Sequence, residues 1–246
     1  GQQDVIQKSL RVIHHAHLLS IPYENLDFHY KKAVVLNVQD LQKKIIDRCR
    51  GGIGYELNIL FYYLVSHLGF KSKLVSARTF VDGVLSPEFE HAAVLVNLGN
   101  DKYLCDVGFG DHMCFPKRLV INDAQLDYTR YFRFEHDADN NWLLKKSNDN
   151  SHYETVYQFT EQPRALIEFI PRCNLHQASL ESTYHQEKFI TQLFREGRVT
   201  LTSRKLIISL MGEREEKEIL NEDAFLAHLE QHFGIRVNEL LRQRLN

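Results

Sequence analysis

One helix must lie at the centre of this fold. The segment from Tyr55 to Leu68 is apolar nearly all round, and Gly69 follows it as a stop signal. A helix without a polar face cannot lie on the surface, so the rest of the chain has to cover it. It follows directly on residues 50–54 (RGGIG), whose glycines allow a sharp turn. The sequence therefore predicts a Gly-rich turn that leads into a buried helix.

Two more helices are predicted before this one. Apolar residues at helical spacing run from Ile6 to His17, with Asp4 as a candidate N-cap and Pro22 as the stop. Asn37 is typical of a second N-cap, and apolar residues at helical spacing follow it. The first third of the chain is therefore predicted to be helical.

Beyond residue 73 the hydrophobic period changes to that of strands. The predicted strands cover residues 74–81, 91–98, 102–107, 131–135, 142–146, 153–159, 198–202, 206–210 and 215–220. Polar turns separate them, which is typical of an antiparallel sheet closing toward a barrel. A final helix is predicted from the N-cap Asn221 through Phe233, with Gly234 as its C-terminal stop.

Charge and composition argue against several classes of function. The net charge is −2 and the Lys and Arg residues are scattered, whereas nucleic-acid binding needs a concentrated basic surface. No apolar run reaches membrane-spanning length and no signal peptide is visible, so we expect no membrane partner. The four cysteines match neither a zinc pattern nor a disulfide scaffold, which favours a reducing, cytoplasmic location.

Three histidines near the N-terminus raise the question of a metal site. His14 and His17 share a helix face, with His15 between them. No carboxylate or cysteine stands nearby to complete a coordination shell. We therefore interpret them as packed or solvated histidines and predict no metal.

The hairpin formed by residues 91–107 predicts a His–Asp pair. If Gly99-Asn100 is a two-residue turn, Leu98 pairs with Asp101. Asp106 then lies on the same face as His91 and diagonal to it, within reach of the imidazole. An Asp that fixes the tautomer of a His is the orienting part of a nucleophile–base–orienter triad. Taken alone, such a pair is more often structural.

The nucleophile of such a triad is expected at a helix N-terminus, where the dipole and free N–H groups favour a thiolate. The Gly-rich turn provides that backbone, but Gly54 has no side chain. Cys49 lies on the far side of the turn, and Cys105 points to the strand face opposite Asp106. We interpret both as structural cysteines, so the predicted site lacks a nucleophile.

Four motifs resemble those of arylamine N-acetyltransferases in both order and spacing. They are residues 21–26 (IPYENL), 50–58 (RGGIGYELN), 91–96 (HAAVLV) and 103–110 (YLCDVGFG). Weaker similarity continues from residues 196–201 to 233–235, so the resemblance covers most of the chain.

The resemblance implies an α+β fold in three parts with a cysteine-proteinase-like core. A helical bundle over residues 1–80 would carry the Gly-rich turn. An antiparallel β-barrel over residues 81–185 would carry the His and the Asp, and residues 186–246 would form an α/β lid. Members of this family use a Cys–His–Asp triad in a ping-pong reaction. Their cysteine takes acetyl from acetyl-CoA, and an arylamine or hydrazine then takes it from the enzyme.

Matched onto this sequence, the family's base is His91, its orienting partner is Asp106, and the nucleophile position is Gly54. The resemblance also implies a braced turn, with Glu24 and Arg50 as an ion pair. The positions that match the substrate pocket are Tyr23, Gly108, Phe109 and Gly110. No covalently bound cofactor is implied, since acetyl-CoA is a cosubstrate.

Two hypotheses follow for this chain. In the first, it is an acetyltransferase-family protein that binds acetyl-CoA, with acetyl transfer lost or severely reduced at Gly54. In the second, it is a non-catalytic binding or regulatory protein that uses the same cleft for CoA or a small aromatic ligand. The glycine itself has two explanations, either a natural loss or an engineered change that traps ligand in an active enzyme.

Overall fold

The computed structural model describes residues 2–81, 83–110, 113–128 and 130–236. The helices are α1 (Gln2–Ser20), α2 (Leu26–His29), α3 (Val38–Leu41, continued by the π-helical segment Gln42–Asp47), α4 (Gly54–His67), α5 (Leu166–Ala178), α6 (Thr183–Gln186) and α7 (Glu222–Phe233). Within these ranges, every helix is too short or too polar to span a bilayer.

The strands form two antiparallel sheets. In chain order they are β1 (Tyr23–Glu24), β2 (Lys71–Val81), β3 (Val84–Leu85), β4 (His91–Leu98), β5 (Asp101–Cys105), β6 (Lys117–Arg118), β7 (Gln125–Asp127), β8 (Arg130–His136), β9 (Trp142–Ser147), β10 (Glu154–Phe159), β11 (Phe189–Phe194), β12 (Gly197–Thr202), β13 (Lys205–Leu210) and β14 (Glu213–Glu218).

The larger sheet has the order β6-β5-β4-β2-β10-β9-β8-β7, with β3 paired to β2, and it curls into a nearly closed barrel. The smaller sheet has the order β1-β11-β12-β13-β14 and is covered by α7. Its edge strand β1 comes from the N-terminal region, so the first residues after α1 are paired with the C-terminal part of the chain. These features match the α+β fold expected from the sequence, with helices, barrel and α/β lid.

The predicted buried helix is α4, and it packs on the strand that carries the candidate base. Leu57, Ile59 and Phe61 are fully buried, and each such side chain stabilises the fold by about 1.5–3 kcal/mol. Alternate residues of β4 face opposite ways, because side chains in a strand alternate between faces. Val94 packs on the α4 side, whereas Leu95 points into the barrel.

The helix boundaries predicted from Asn37, Asn221 and Gly234 are confirmed by the structure. Asn221 Oδ1 accepts a hydrogen bond from Ala224 N at 2.9 Å, and Gly234 ends α7 in the left-handed conformation. Asn37 caps α3 through Asp40 N in the same way. The expected cap at Asp4 is wrong, since α1 begins at Gln2 and places Asp4 inside its first turn.

Several elements were absent from the sequence-based prediction. They are α2, α5, α6, β1, β3, β6, β7 and β11. In α5, Pro171 lies inside the helix, where a proline normally predicts a helix end. Short pairs such as β1 exist only because distant strands hydrogen-bond to them, and local sequence carries no signal of that.

Candidate active site

The strand register brings His91 and Asp106 together. Leu98 pairs with Asp101 across the two-residue turn, as predicted, and β4 begins at His91. Asp106 follows the last residue of β5 on the same face as His91. The distance from His91 Nε2 to Asp106 Oδ2 is 2.8 Å, and both side chains are buried.

Asp106 is held by more donors than His91 alone. Its Oδ1 accepts from Asn58 Nδ2 at 2.8 Å and from Gly108 N at 3.1 Å, and Tyr157 donates its hydroxyl to Oδ2 at 3.0 Å. Burial by itself would raise the pKa of Asp106, but the imidazole and these donors lower it below its usual value. The carboxylate is therefore ionised and fixed in orientation.

An ionised Asp106 sets the tautomer of His91. Because the carboxylate only accepts, the imidazole donates through Nε2 and keeps its lone pair on Nδ1. That nitrogen faces the head of α4, since a Cβ placed on Gly54 would lie 2.9 Å from it. Phe109 and Tyr157 pack against the ring, with centroids 5.3 Å and 5.6 Å away. The site thus presents an oriented imidazole toward the head of α4.

The backbones of Gly54 and Gly108 are in direct contact. A Cβ on Gly54 would lie 2.8 Å from the Gly108 carbonyl oxygen, and a Cβ on Gly108 would lie 2.6 Å from that of Gly54. Both distances are shorter than a carbon and an oxygen tolerate without movement. The space that a side chain at position 54 would need is therefore filled by His91 and the Gly108 peptide.

An ion pair braces the Gly-rich turn on one side. Arg50 Nη2 lies 2.6 Å from Glu24 Oε1 and 2.9 Å from Asp27 Oδ1, and all three side chains are buried. The other oxygen of Glu24 accepts from Leu26 N at 2.7 Å. The turn also leaves no room for a side chain at Gly51, whose Cβ would lie 2.1 Å from the Pro22 carbonyl oxygen.

Lys44 braces the other side of the turn. Its Nζ lies 2.7 Å from Asp27 Oδ2 and 2.8 Å from Glu56 Oε1. Glu56 Oε2 accepts from Ile53 N at 3.0 Å, which fixes the first turn of α4. Burial alone would raise the pKa of Asp27, but the Lys44 and Arg50 charges lower it to about 2. The path of the backbone into Gly54 is therefore set by buried charges.

The remaining predicted pocket residues lie at different distances from His91. Phe109 contacts its ring directly, and Gly108 N donates to Asp106. Gly110 lies farther along the loop, where its carbonyl accepts from Arg198 Nη1 at 3.1 Å. Tyr23 lies on β1 and forms a bridge with Gly52, so it borders the Gly-rich turn, and its ring packs against Phe189.

None of the four free cysteines presents a reactive thiol to His91. Cys105, Cys114 and Cys173 are buried, and burial raises the pKa of each thiol, to about 12 for Cys114 and Cys173. Cys49 is exposed and its Sγ points to the Ile46 carbonyl. Among the described residues, no thiol hydrogen-bonds to the buried His91.

Three site residues were not identified from the sequence. Asn58 lies in the motif at residues 50–58, but no role was assigned to it. Besides donating to Asp106, it accepts a hydrogen bond through Oδ1 from Val107 N at 2.9 Å. Tyr157 comes from β10, two strands away from β4 in the sheet. His14 Nε2 accepts from Asp106 N at 3.2 Å, and its Nδ1 donates to the Cys114 carbonyl at 3.1 Å. The helical spacing of His14 and His17 was a signal for burial but not for this contact.

A narrow, largely apolar cavity opens beside Asp106 inside the barrel. It is lined by Asp106, Phe109, Met113, Phe132, Leu144, Lys146, Val156 and Tyr157. In the part of the chain that the structure describes, no three His, Cys, Asp or Glu side chains converge as a metal site. The chemistry available here is that of an oriented imidazole packed against the rings of Phe109 and Tyr157.

Sequence comparison finds related proteins that match nearly the whole chain. The sequence profile of the N-acetyltransferase family matches residues 7–242. The arylamine N-acetyltransferase of Mycolicibacterium smegmatis is 30% identical over 245 residues, which cover 94% of this chain and 86% of that protein. The corresponding protein of Escherichia coli K12 is 27% identical over 236 residues, covering 94% and 83%.

Solved structures agree with the sequence relatives. The arylamine N-acetyltransferase from Salmonella typhimurium superposes with a TM-score of 0.86 at 25% identity, covering 93% of this chain and 84% of that one. The Mycobacterium marinum arylamine N-acetyltransferase in complex with CoA also gives 0.86 at 25% identity, covering 95% and 88%.

Proposed function

This chain belongs to the arylamine N-acetyltransferase family, and from that premise we propose that it binds acetyl-CoA while its acetyl transfer is abolished or severely impaired. The observation that carries the proposal lies at the head of α4. There the base His91 directs Nδ1 at Gly54, a residue with no side chain. The other parts of the site, namely the oriented base and the braced turn, are in place.

Each remaining group has a chemical role in this proposal. In a ping-pong acetyl transfer, a thiol gives its proton to the imidazole, and the thiolate attacks the thioester carbonyl. His91 Nδ1 would accept that proton, and the Asp106 carboxylate would stabilise the imidazolium. The hydrogen at Gly54 can neither be removed nor form a thioester. Loss of a nucleophile leaves about 10³–10⁴-fold catalysis over water in the serine-protease case.

Ligand binding does not need the missing sulfur. The relative from Mycobacterium marinum was solved in complex with CoA, which supports CoA or acetyl-CoA as the ligand of this chain. We assign the pocket to Tyr23, Gly108, Phe109 and Gly110, which border the imidazole and the Gly-rich turn. As the acceptor we propose a small aromatic amine or hydrazine, because the relatives are named as arylamine N-acetyltransferases. The three parts of the fold would be residues 1–80, 81–185 and 186–246.

One observation favours a second function, a purely non-catalytic binding protein. Gly54 packs against Gly108 and His91 so closely that no side chain fits without movement. A site adjusted to glycine in this way is suited to holding CoA or an aromatic ligand without acylation. The two functions share the fold and differ only in residual turnover.

A turnover assay with a binding assay separates these functions. The chain is incubated with acetyl-CoA and an aromatic amine, beside a His91→Ala variant. Severely impaired catalysis predicts a slow rate slightly above that of the variant, whereas a purely non-catalytic protein gives the same rate as the variant. CoA raises the melting temperature in both cases. Steady turnover well above His91→Ala would show an active enzyme. If neither CoA nor aromatic amines raise the melting temperature, both ligand-binding functions fail.

A further inference from the structure

Two histidines lie one turn apart on α7, far along the chain from the candidate active site. His228 and His232 occupy positions i and i+4, which places them on one helix face. Their rings are stacked, with centroids 5.6 Å apart and planes 28° from parallel. The helix beneath them is held in place, because Phe225 and Leu229 are buried in the core under the smaller sheet.

The ring nitrogens of His228 and His232 make no hydrogen bonds within the described part of the chain. Among the described residues, neither ring has a hydrogen-bond partner, and Nδ1 of His228 is buried without one. The two rings are therefore held beside each other without a hydrogen bond from either to the described part of the protein. Two neighbouring imidazoles at i and i+4 supply the kind of nitrogen ligand that transition metals prefer.

We propose that His228 and His232 bind one divalent transition-metal ion, which takes a nitrogen from each ring and completes its coordination with water. Histidines at i and i+4 on a helix supply two of the three zinc ligands in His-Glu-x-x-His metalloproteases. Imidazole nitrogen selects Cu²⁺, Ni²⁺ and Zn²⁺ over Mg²⁺ and Ca²⁺, which prefer oxygen. No third protein ligand is present among the described residues, so binding depends on these two nitrogens.

The charge around the pair has two opposing effects. Burial, the neighbouring His228 and the Lys217 ammonium together lower the pKa of His232, which favours the neutral form of the ring that a metal requires. The same ammonium repels a bound cation. The site is therefore a weak, two-ligand one, and removing the Lys217 charge should strengthen it. A bound ion would link successive turns of α7 just before its end at Gly234 and stabilise the folded state.

The test uses the full chain without an affinity tag, titrated with NiCl₂ and ZnCl₂ at neutral pH. We expect one ion per chain by equilibrium dialysis. At ten times the dissociation constant, the melting temperature should rise by about 3–5 °C. His228→Gln and His232→Gln should each abolish the rise without changing the melting temperature of the metal-free protein. His152→Gln, in an exposed loop, should behave as the wild type, and MgCl₂ should have no effect.

A second variant tests where the metal ion binds without replacing either proposed ligand. Lys217→Met should tighten Ni²⁺ binding by about 1.5- to 5-fold, because one exposed positive charge is removed. The proposal is wrong if the wild type shows no rise with either ion, or if the rise survives in both glutamine variants. If those variants do not fold, unchanged or weaker Ni²⁺ binding by Lys217→Met overturns it.

Discussion

Gly54 and Gly108 meet backbone to backbone, and that contact limits what each position can hold. The side of Gly54 that would carry a Cβ is occupied by His91 Nδ1 and the Gly108 carbonyl. A cysteine at position 54 would therefore place its sulfur beside the imidazole only if the Gly108 peptide or the imidazole shifted. The residue is fitted to its surroundings, in addition to lacking a thiol.

We predict that Gly54→Ala lowers the free energy of unfolding by about 1–3 kcal/mol, because one added carbon overpacks the contact. Urea denaturation measures the change. The matched control is Gly110→Ala, where a Cβ would meet no atom within 4 Å, and which should be neutral or slightly stabilising. Equal effects at both positions would contradict the packing argument.

Site residues that lie close together along the chain could be predicted from the sequence, and those that come from distant elements could not. His91 and Asp106 were found because one hairpin fixes their register. His14 and Tyr157 were missed because they reach Asp106 from α1 and β10, and no local rule links those elements. The assignment of Gly54 to the nucleophile position depends on motif similarity and on the expectation of a nucleophile at a helix N-terminus, since a glycine before a helix is common in turns.

Among the elements, the turn before α4 is held by buried charges as well as by its glycines. Arg50 is buried between Glu24 and Asp27, and removing one partner of such a group leaves uncompensated charge. We predict that Arg50→Met destabilises the fold by about 3–5 kcal/mol. Arg236→Met, which removes an exposed arginine paired with Glu230, should cost less than about 1 kcal/mol.

Thermal and urea denaturation of both variants provide the comparison. A small loss for Arg50→Met, similar to that of the exposed control, would mean that the turn is held by its backbone alone. The expected large loss would also reduce CoA binding, because the turn supplies the head of α4.

Elements with a strong internal signal were predicted well, and elements that depend on distant partners were not. The position of α4 follows from its apolar faces, and α7 from its capping residues Asn221 and Gly234. By contrast, α5 contains Pro171, and a proline inside a segment normally argues against a helix there, so α5 was not predicted. In α1, Ile6 lies on the predicted helical stripe but is exposed, whereas His14 is buried.

At the scale of the whole molecule, residues 23–25 connect the N-terminal helices to the C-terminal sheet. Asn25 Nδ2 donates to the carbonyls of Tyr184 and Glu187 at 3.0 Å and 2.8 Å, and its Oδ1 accepts from Phe189 N at 2.8 Å. With β1 paired to β11, this joins the helical part to the C-terminal sheet. These contacts suggest that the parts unfold together.

Buried histidines make the stability of the whole molecule depend on pH. Burial lowers the pKa of His14 and of His17 to about 3. Between about pH 6.5 and pH 3 the unfolded chain binds protons at these sites that the folded chain does not, so stability falls as pH falls. Each histidine contributes up to about 1.4 kcal/mol per pH unit.

The variant His17→Met tests this dependence. His17 Nε2 is buried without a hydrogen-bond partner among the described residues, so an apolar replacement should be tolerated. Urea denaturation between about pH 6 and pH 5 should show a pH slope smaller by about one proton, roughly 1.4 kcal/mol per unit. An unchanged slope would show that His17 is not buried in its neutral form.

The central claim is that a family site with an oriented base has no group to acylate. Its most direct test is the intact mass of the protein after exposure to acetyl-CoA, for the wild type and for Gly54→Cys. We predict an unchanged mass for the wild type and one added acetyl group on Gly54→Cys, lost when His91 is also replaced by Ala. An acetyl group on the wild-type chain that requires His91, or no acetyl group on a folded Gly54→Cys, would contradict it.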